Sequence, residues 1–253
     1  MMELNFKKLG EGQPLIILHG LFGSLDNWMT LAKKFAEDFE VYLVDARNHG
    51  QSPHTDDFGY DVMAQDLKEF ISQHNISDPI VLGHSMGGKT AMLFALQNAE
   101  MLQKLIVVDI APKKYPIHHR EILNALLSLD FSQIKTRGEA DDELAKMIDN
   151  FAVRQFLLKN LYWKEKDKLA FRFNLDVLNR DIEKIVQNFD ANNSFEKPTM
   201  FIRGLKSEYI LDSDFDAINN YFPNNKMVSL NCGHWIHAEK PEEFYTNVIN
   251  FIK

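Results

Sequence analysis

Cysteine is almost absent: the 253-residue chain has one, Cys232. A lone thiol excludes an intramolecular disulfide framework and a multi-thiolate zinc site. Positive charge is also in deficit. The 28 Lys+Arg against 36 Asp+Glu leave a net charge of −8, which argues against a phosphate-tracking surface for nucleic acid. No stretch approaches the roughly 18 consecutive apolar residues of a membrane span. The opening MMELNFKKLG lacks an apolar run of signal-peptide length. Repeats and low-complexity tracts are missing as well. These absences leave a soluble, cytoplasmic protein as the expectation, with a small molecule as its partner, no nucleic acid and no membrane span. They say nothing of oligomeric state.

What is present is an alternation. Short apolar runs at 14–18 (PLIIL), 41–44 (VYLV), 80–82 (IVL), 105–108 (LIVV) and 199–202 (TMFI) read as strands, each bounded by or near Gly, Asp, Pro or Arg. Amphipathic stretches at 25–36, 63–74, 86–98 and 241–251 read as helices, the last with Pro241 at a tolerated first-turn position. Strands apolar throughout, alternating with helices, imply an α/β class with a mostly parallel sheet covered on both faces. The alternation stops after Asp109. Residues 113–196 show almost no strand signal and several helical segments, at 120–129, 139–151 and 178–189. They are expected to form a helical cap inserted into one domain spanning 1–253, since both flanks are needed to complete the sheet.

The window 79–91, PIVLGHSMGGKTA, fits two unrelated chemistries that both need a strand, a tight turn and a helix. Gly83-His84-Ser85-Met86-Gly87 matches the G-x-S-x-G nucleophile elbow. In that turn a strained serine stands clear of the sheet, and the next amide, at Met86, faces a developing oxyanion. Residues 83–90 also match the phosphate-binding loop G-x-x-x-x-G-K-[ST], with Asp109 as a strand-end magnesium ligand. A glycine-rich helix start without chemistry is the third possibility.

Distant residues separate these readings. A serine nucleophile needs a base, an acid that orients the base, and a second oxyanion donor. They should lie at strand ends in the order Ser, acid, His. Of nine histidines, His234 follows the strand-like run 226–230 and precedes the last helix, where the base belongs, and His237 is its near competitor. His54, His74, His118 and His119 lie in polar loop or helix-end contexts, where solvation is expected. Asp109 ends the strand after the elbow unit and is the expected acid. The alternative is Glu208, because Ser207 occupies the place where many proteins of this architecture carry Asp. The second oxyanion donor is expected at the amide of Leu21, in the His19-Gly20 loop after the strand at 14–18. A phosphate-binding loop leaves these residues unexplained, and Lys89 is then expected to be a solvated or capping lysine.

The stretches HGLFGSLDNW (19–28), VDARNHGQSP (44–53), GHSMGGKTAM (83–92), VVDIAP (107–112) and CGHWIHAEKP (232–241) carry a resemblance to the α/β-hydrolase superfamily, and within it to the bacterial esterase YbfF group. Residues 154–159 (RQFLLK) are also similar to that group. The resemblance implies an α/β-hydrolase fold and a cofactor-independent serine carboxylesterase or thioesterase, with acyl-CoA among the plausible substrates. It places the nucleophile at Ser85, the acid at Asp109 and the base at His234, and it supports a non-acidic residue at Ser207. Phe22 and Trp235 adjoin the proposed catalytic loops and are the expected substrate contacts. Lys113, Lys114 and Arg120 are candidates for a CoA phosphate, though solvation is their default. No metal site is expected. Another activity on the same fold (a lyase or a small-molecule binder) and a nucleotide phosphohydrolase built on residues 83–90 are the alternatives.

Overall fold

The computed structural model describes residues 2–117, 119–189 and 191–253. The strands are β1 (Phe6–Leu9), β2 (Gln13–Leu18), β3 (Phe39–Val44), β4 (Ile80–His84), β5 (Lys104–Val108), β6 (Leu161–Glu165), β7 (Lys168–Phe171), β8 (Thr199–Gly204) and β9 (Asn225–Leu230). The helices are α1 (Met29–Phe35), α2 (Tyr60–Gln73), α3 (Met86–Gln97), α4 (Arg120–Leu127), α5 (Arg137–Ala145), α6 (Phe151–Leu158), α7 (Leu175–Val186), α8 (Phe215–Tyr221), α9 (Ile236–Glu239) and α10 (Pro241–Ile252). Seven strands form one sheet in the order β1-β3-β2-β4-β5-β8-β9. Every pairing is parallel except that of β1 with β3.

The strand period of two explains why these runs are apolar throughout. Leu15, Ile17, Val41, Leu43, Ile80, Leu82, Ile106 and Val108 face one way, into a cluster with Leu31 and Phe35 of α1 and Phe244 and Val248 of α10. Their neighbours Ile16, Leu18, Tyr42, Val44, Val81, Leu105 and Val107 face the other way, into a cluster with Met63, Leu67 and Phe70 of α2 and Ala91–Leu96 of α3. Both faces of the sheet are therefore covered, and the α/β expectation holds.

Residues 113–196 leave the sheet after β5 and return at β8, which pairs with β5. Their buried residues Leu123, Leu126, Leu157, Val177, Leu178 and Ile182 join the α2/α3-side cluster. Two expectations need correction here. The segment is not free of strands, since β6 and β7 form an antiparallel hairpin. Its turn is carried by Asp167 at φ 59°, and Asp tolerates such a left-handed position better than most residues. The stretch 139–151 is also not one helix. Asn150 caps a new helix, its side chain accepting from the amides of Ala152 and Val153, so the chain stops and restarts as α5 and α6.

Candidate active site

Ser85 stands between β4 and α3 at φ 52° and ψ −117°, a conformation that costs an L-residue of order 1–3 kcal/mol. The flanking glycines hold this turn by close approach. A Cβ on Gly83 would lie 2.2 Å from the Gly87 carbonyl oxygen, and one on Gly87 would lie 2.5 Å from those of Leu18 and His19. The Ser85 amide donates to Val108 O at 3.0 Å, which ties the turn to the end of β5. Met86 is the first residue of α3, so its N–H has no acceptor within the helix.

Asp109, the residue after β5, is fully buried and also has a positive φ, 49°. Its Oδ2 accepts from His234 Nδ1 at 2.7 Å and from Ser207 Oγ at 2.5 Å, while Oδ1 accepts from the Gly204 amide at 2.9 Å. A carboxylate can only accept, so His234 carries its proton on Nδ1 and leaves Nε2 free to take another. The Tyr209 ring stacks on the His234 ring, with centroids 4.0 Å apart at 20°. Burial and Asp109 push the Tyr209 phenol up to about 12, so it stays neutral. Glu208, the alternative acid, is solvent-exposed. Ser85 and His234 line one cavity without a hydrogen bond between them. Such contacts commonly tighten only when substrate binds.

The His19-Gly20 loop runs beside the elbow, where a Cβ on Gly20 would meet Ser85 Cβ at 3.3 Å. Buried histidines hold this loop. His49 Nε2 accepts from the Phe22 amide at 3.2 Å. His19 Nε2 accepts from the Ala46 amide at 3.0 Å while its Nδ1 donates to Gly20 O at 2.8 Å. Asp45 accepts from the amides of Leu25 and Gln51. Asn160 Nδ2 donates to Phe22 O at 2.8 Å from the inserted segment. Desolvation depresses His19, and it holds His49 down to about 3, so both remain neutral near pH 7.

A cavity of about 250 Å³ opens over Ser85. The body of the protein contributes Leu21, Phe22, Asn27, Trp28, Tyr209, His234, Trp235 and His237, and residues 113–196 contribute His119, Ile122, Val153, Phe156 and Leu157. Among the described residues, no Asp, Glu, Lys or Arg lines it. Phe22, Trp235 and Leu21 line the cavity. Of the aromatic residues in the insertion, Phe156 does so, Phe173 is buried, and Phe151 and Trp163 are exposed.

Three expectations change. His119 is half-buried and lines the cavity instead of being solvated, because α4 starts beside the mouth; His118 lies outside the described residues. Lys89 is fully buried, with Nζ donating to Lys113 O and Gln187 O. That takes the lysine of the phosphate-loop match away from any phosphate, and Thr90 Oγ1 likewise donates back to Met86 O. Lys113 pairs with Asp214 at 2.5 Å and does not face the cavity. Cys232 is buried, and its thiol is pushed up to about 11 by burial and Glu239, an inert state. Among the described residues no His, Cys, Asp or Glu cluster could hold a metal ion.

Sequence reasoning missed Tyr209, Asn27, Trp28 and the supporting role of His49. His49 had a local signal in the ARNHG turn that follows β3, and Asn27 and Trp28 close the stretch 19–28 that carries the His19-Gly20 loop. Tyr209 reaches the site through long-range packing.

A family model described as alpha/beta hydrolase fold matches residues 13–241. The sn-1-specific diacylglycerol lipase ABHD11 of Danio rerio is 35% identical over 98% of this chain and 81% of its own length. An abhydrolase domain-containing protein of Schizosaccharomyces pombe is 36% identical over 99% of this chain and 97% of its own. The solved structure of a marine microorganism esterase superposes with a TM-score of 0.97 at 43% identity, covering 99% of this chain and 100% of that one. No described helix is long and apolar enough to cross a membrane. With its parallel sheet, its elbow at Ser85 and the acid–imidazole pair beyond it, the chain belongs to the α/β-hydrolase fold family.

Proposed function

We propose that the protein hydrolyses carboxylic esters through Ser85 as nucleophile, His234 as base and Asp109 as the acid that orients it. The 2.7 Å Asp109–His234 contact beside the strained Ser85 turn carries this reading. His234 Nε2 takes the Ser85 proton as Oγ attacks the acyl carbonyl, and Asp109 stabilises the imidazolium that results. The amides of Leu21 and Met86 receive the oxyanion. His234 then passes its proton to the leaving alkoxide, or to a thiolate if the substrate is a thioester. Water activated by the same imidazole releases the acid and frees Ser85. In this reading residues 113–196 act as the cap, and Phe22, Trp235 and Phe156 contact the acyl group.

The substrate chemistry follows from the walls. A cavity of about 250 Å³ without a charged side chain among its described lining residues suits a small, neutral acyl group, since a carboxylate there would be desolvated without a partner. Lys113 is already paired, which weakens the case for a bound CoA phosphate at that residue. Ser85→Ala tests the proposal. Hydrolysis of p-nitrophenyl butyrate should fall by on the order of 10³-fold or more, and labelling by a fluorophosphonate should be lost. Turnover near the wild-type rate in pure Ser85→Ala protein rejects it.

A further inference from the structure

The proposed chemistry uses the elbow at 83–87 and leaves Gly88-Lys89-Thr90, the rest of the phosphate-loop match, without a role. Lys89 lies one turn into α3, its amide bonded to Ser85 O at 3.0 Å, and its side chain is completely buried. Nζ donates to Lys113 O at 2.7 Å and to Gln187 O at 2.6 Å. It also sits 4.9 Å from the centre of the Tyr115 ring and 5.4 Å from that of Tyr60. Among the described residues, no carboxylate accepts from it.

The two acceptors lie at opposite ends of the inserted segment. Lys113 is where the chain leaves the body after β5, and Gln187 is the C-cap of α7 just before the chain turns back to β8. The last carbonyls of a helix have no partner within it. At α7 these are supplied from outside: Tyr60 Oη donates to Ile185 O at 2.7 Å, the Tyr115 amide donates to Val186 O at 2.8 Å, and Lys89 takes Gln187 O. One ammonium or amine group therefore joins both stems of the insertion to the helix whose N-terminus carries Ser85. The same insertion places Ile122, Val153, Phe156 and Leu157 in the cavity wall. A lysine is an expensive way to fill apolar space, because its nitrogen must be desolvated. Its two bonds have a geometric consequence that a buried methionine would not have.

We propose that Lys89 is a positioning residue that fixes the insertion at a set height above Ser85 and thereby sets which acyl groups the cavity accepts. This rests on the ester-hydrolase reading of Ser85 for its selectivity part, while its structural part stands without it. The pin does not touch substrate, and it acts through α4 and α6.

The test compares Lys89→Met, which keeps an unbranched chain and removes both donors, with wild type. Hydrogen–deuterium exchange should accelerate about tenfold or more at the stem amides around 113–117 and 183–189, while β4 and β5 stay protected. With p-nitrophenyl acetate, kcat should change by less than about threefold, whereas the acetate-to-octanoate ratio of kcat/KM should shift by about fivefold or more. If Lys89→Met does not fold, Tyr60→Phe removes the neighbouring donor to Ile185 O and should give the same exchange pattern more weakly. Unchanged exchange at both stems, an unchanged selectivity ratio, or acceleration spread evenly over the sheet overturns the proposal. Should wild type turn over no ester, the Ser85 reading fails while the exchange arm still decides whether Lys89 pins the stems.

Discussion

The body of the protein and its insertion bury different chemistry. Of the buried polar and charged side chains among the described residues, only Asn160 and Asp181 come from 113–196. The body contributes His19, Asp45, Arg47, His49, Asp66, His84, Ser85, Lys89, Asp109 and His237 among others. The insertion's interior is apolar instead, built on Leu123, Leu126, Leu157, Leu178 and Ile182. Polar groups in low dielectric interact strongly and must be held in place by hydrogen bonds, so they belong on a rigid sheet. Apolar packing tolerates a change of shape if volume is kept, which suits a wall that meets substrate. On the proposed reading, the division places reactivity in the body and leaves the insertion to shape one wall of the cavity.

The largest effect that would break this division concerns the acid. Asp109→Asn keeps the size of the side chain but presents the wrong partner to His234 Nδ1, and kcat should fall by on the order of 10³–10⁴. Glu208→Gln, on an exposed side chain, should change kcat by less than about twofold. Steady-state kinetics with p-nitrophenyl butyrate on both variants decides it, and the reverse ranking would move the acid to the loop after β8.

A second effect separates the two regions by pH. Desolvation depresses His19 and His84, and it lowers His49 and His237 to about 3 from 6.5. All four belong to the body. His49 and His237 stay neutral in the fold while the unfolded chain takes up protons below pH 6.5, so stability is lost as pH falls from 6.5 towards 3, and the depressed His19 and His84 act in the same direction. Each group removes up to about 1.4 kcal/mol per pH unit. The urea midpoint should therefore drop markedly between pH 7 and pH 5, and His49→Gln should flatten that slope. A midpoint independent of pH over this range would show that these imidazoles already bind protons in the fold.

The same division explains what could be read from the chain alone. The elbow, the strand-end Asp109 and the loop of His234 were legible because each is fixed by local sequence. A strand run, a glycine that permits close approach and a reactive side chain fall within a few residues of each other. Tyr209 and His119 were not, since their places beside His234 and over the mouth depend on how distant loops fold together. Lys89 misled for the same reason. Its polar side chain at a helix position reads as solvated, and the return of α7 together with Lys113, Tyr115 and Tyr60 buries it. The hairpin of β6 and β7 was hidden because a short two-stranded unit with lysines on it has little apolar periodicity.

The smallest effect tests a polar tether that crosses from the insertion to the His19-Gly20 loop. Asn160 is buried, and its Nδ2 donates to Phe22 O at 2.8 Å, besides longer bonds to Leu157 O and Phe156 O within its own segment. Phe22 itself sits at φ 59°, next to the Leu21 amide that the proposed mechanism uses. Asn160→Ala removes the donor and leaves Phe22 O without it, a loss of about 0.5–1.5 kcal/mol. If the tether steadies the oxyanion loop, that loss should surface in kcat as a drop of about twofold to tenfold, with KM for acetate esters little changed. If the drop instead lies wholly in KM, Asn160 shapes the wall alone, and the oxyanion loop owes its order to His49 and Asp45 on the body side.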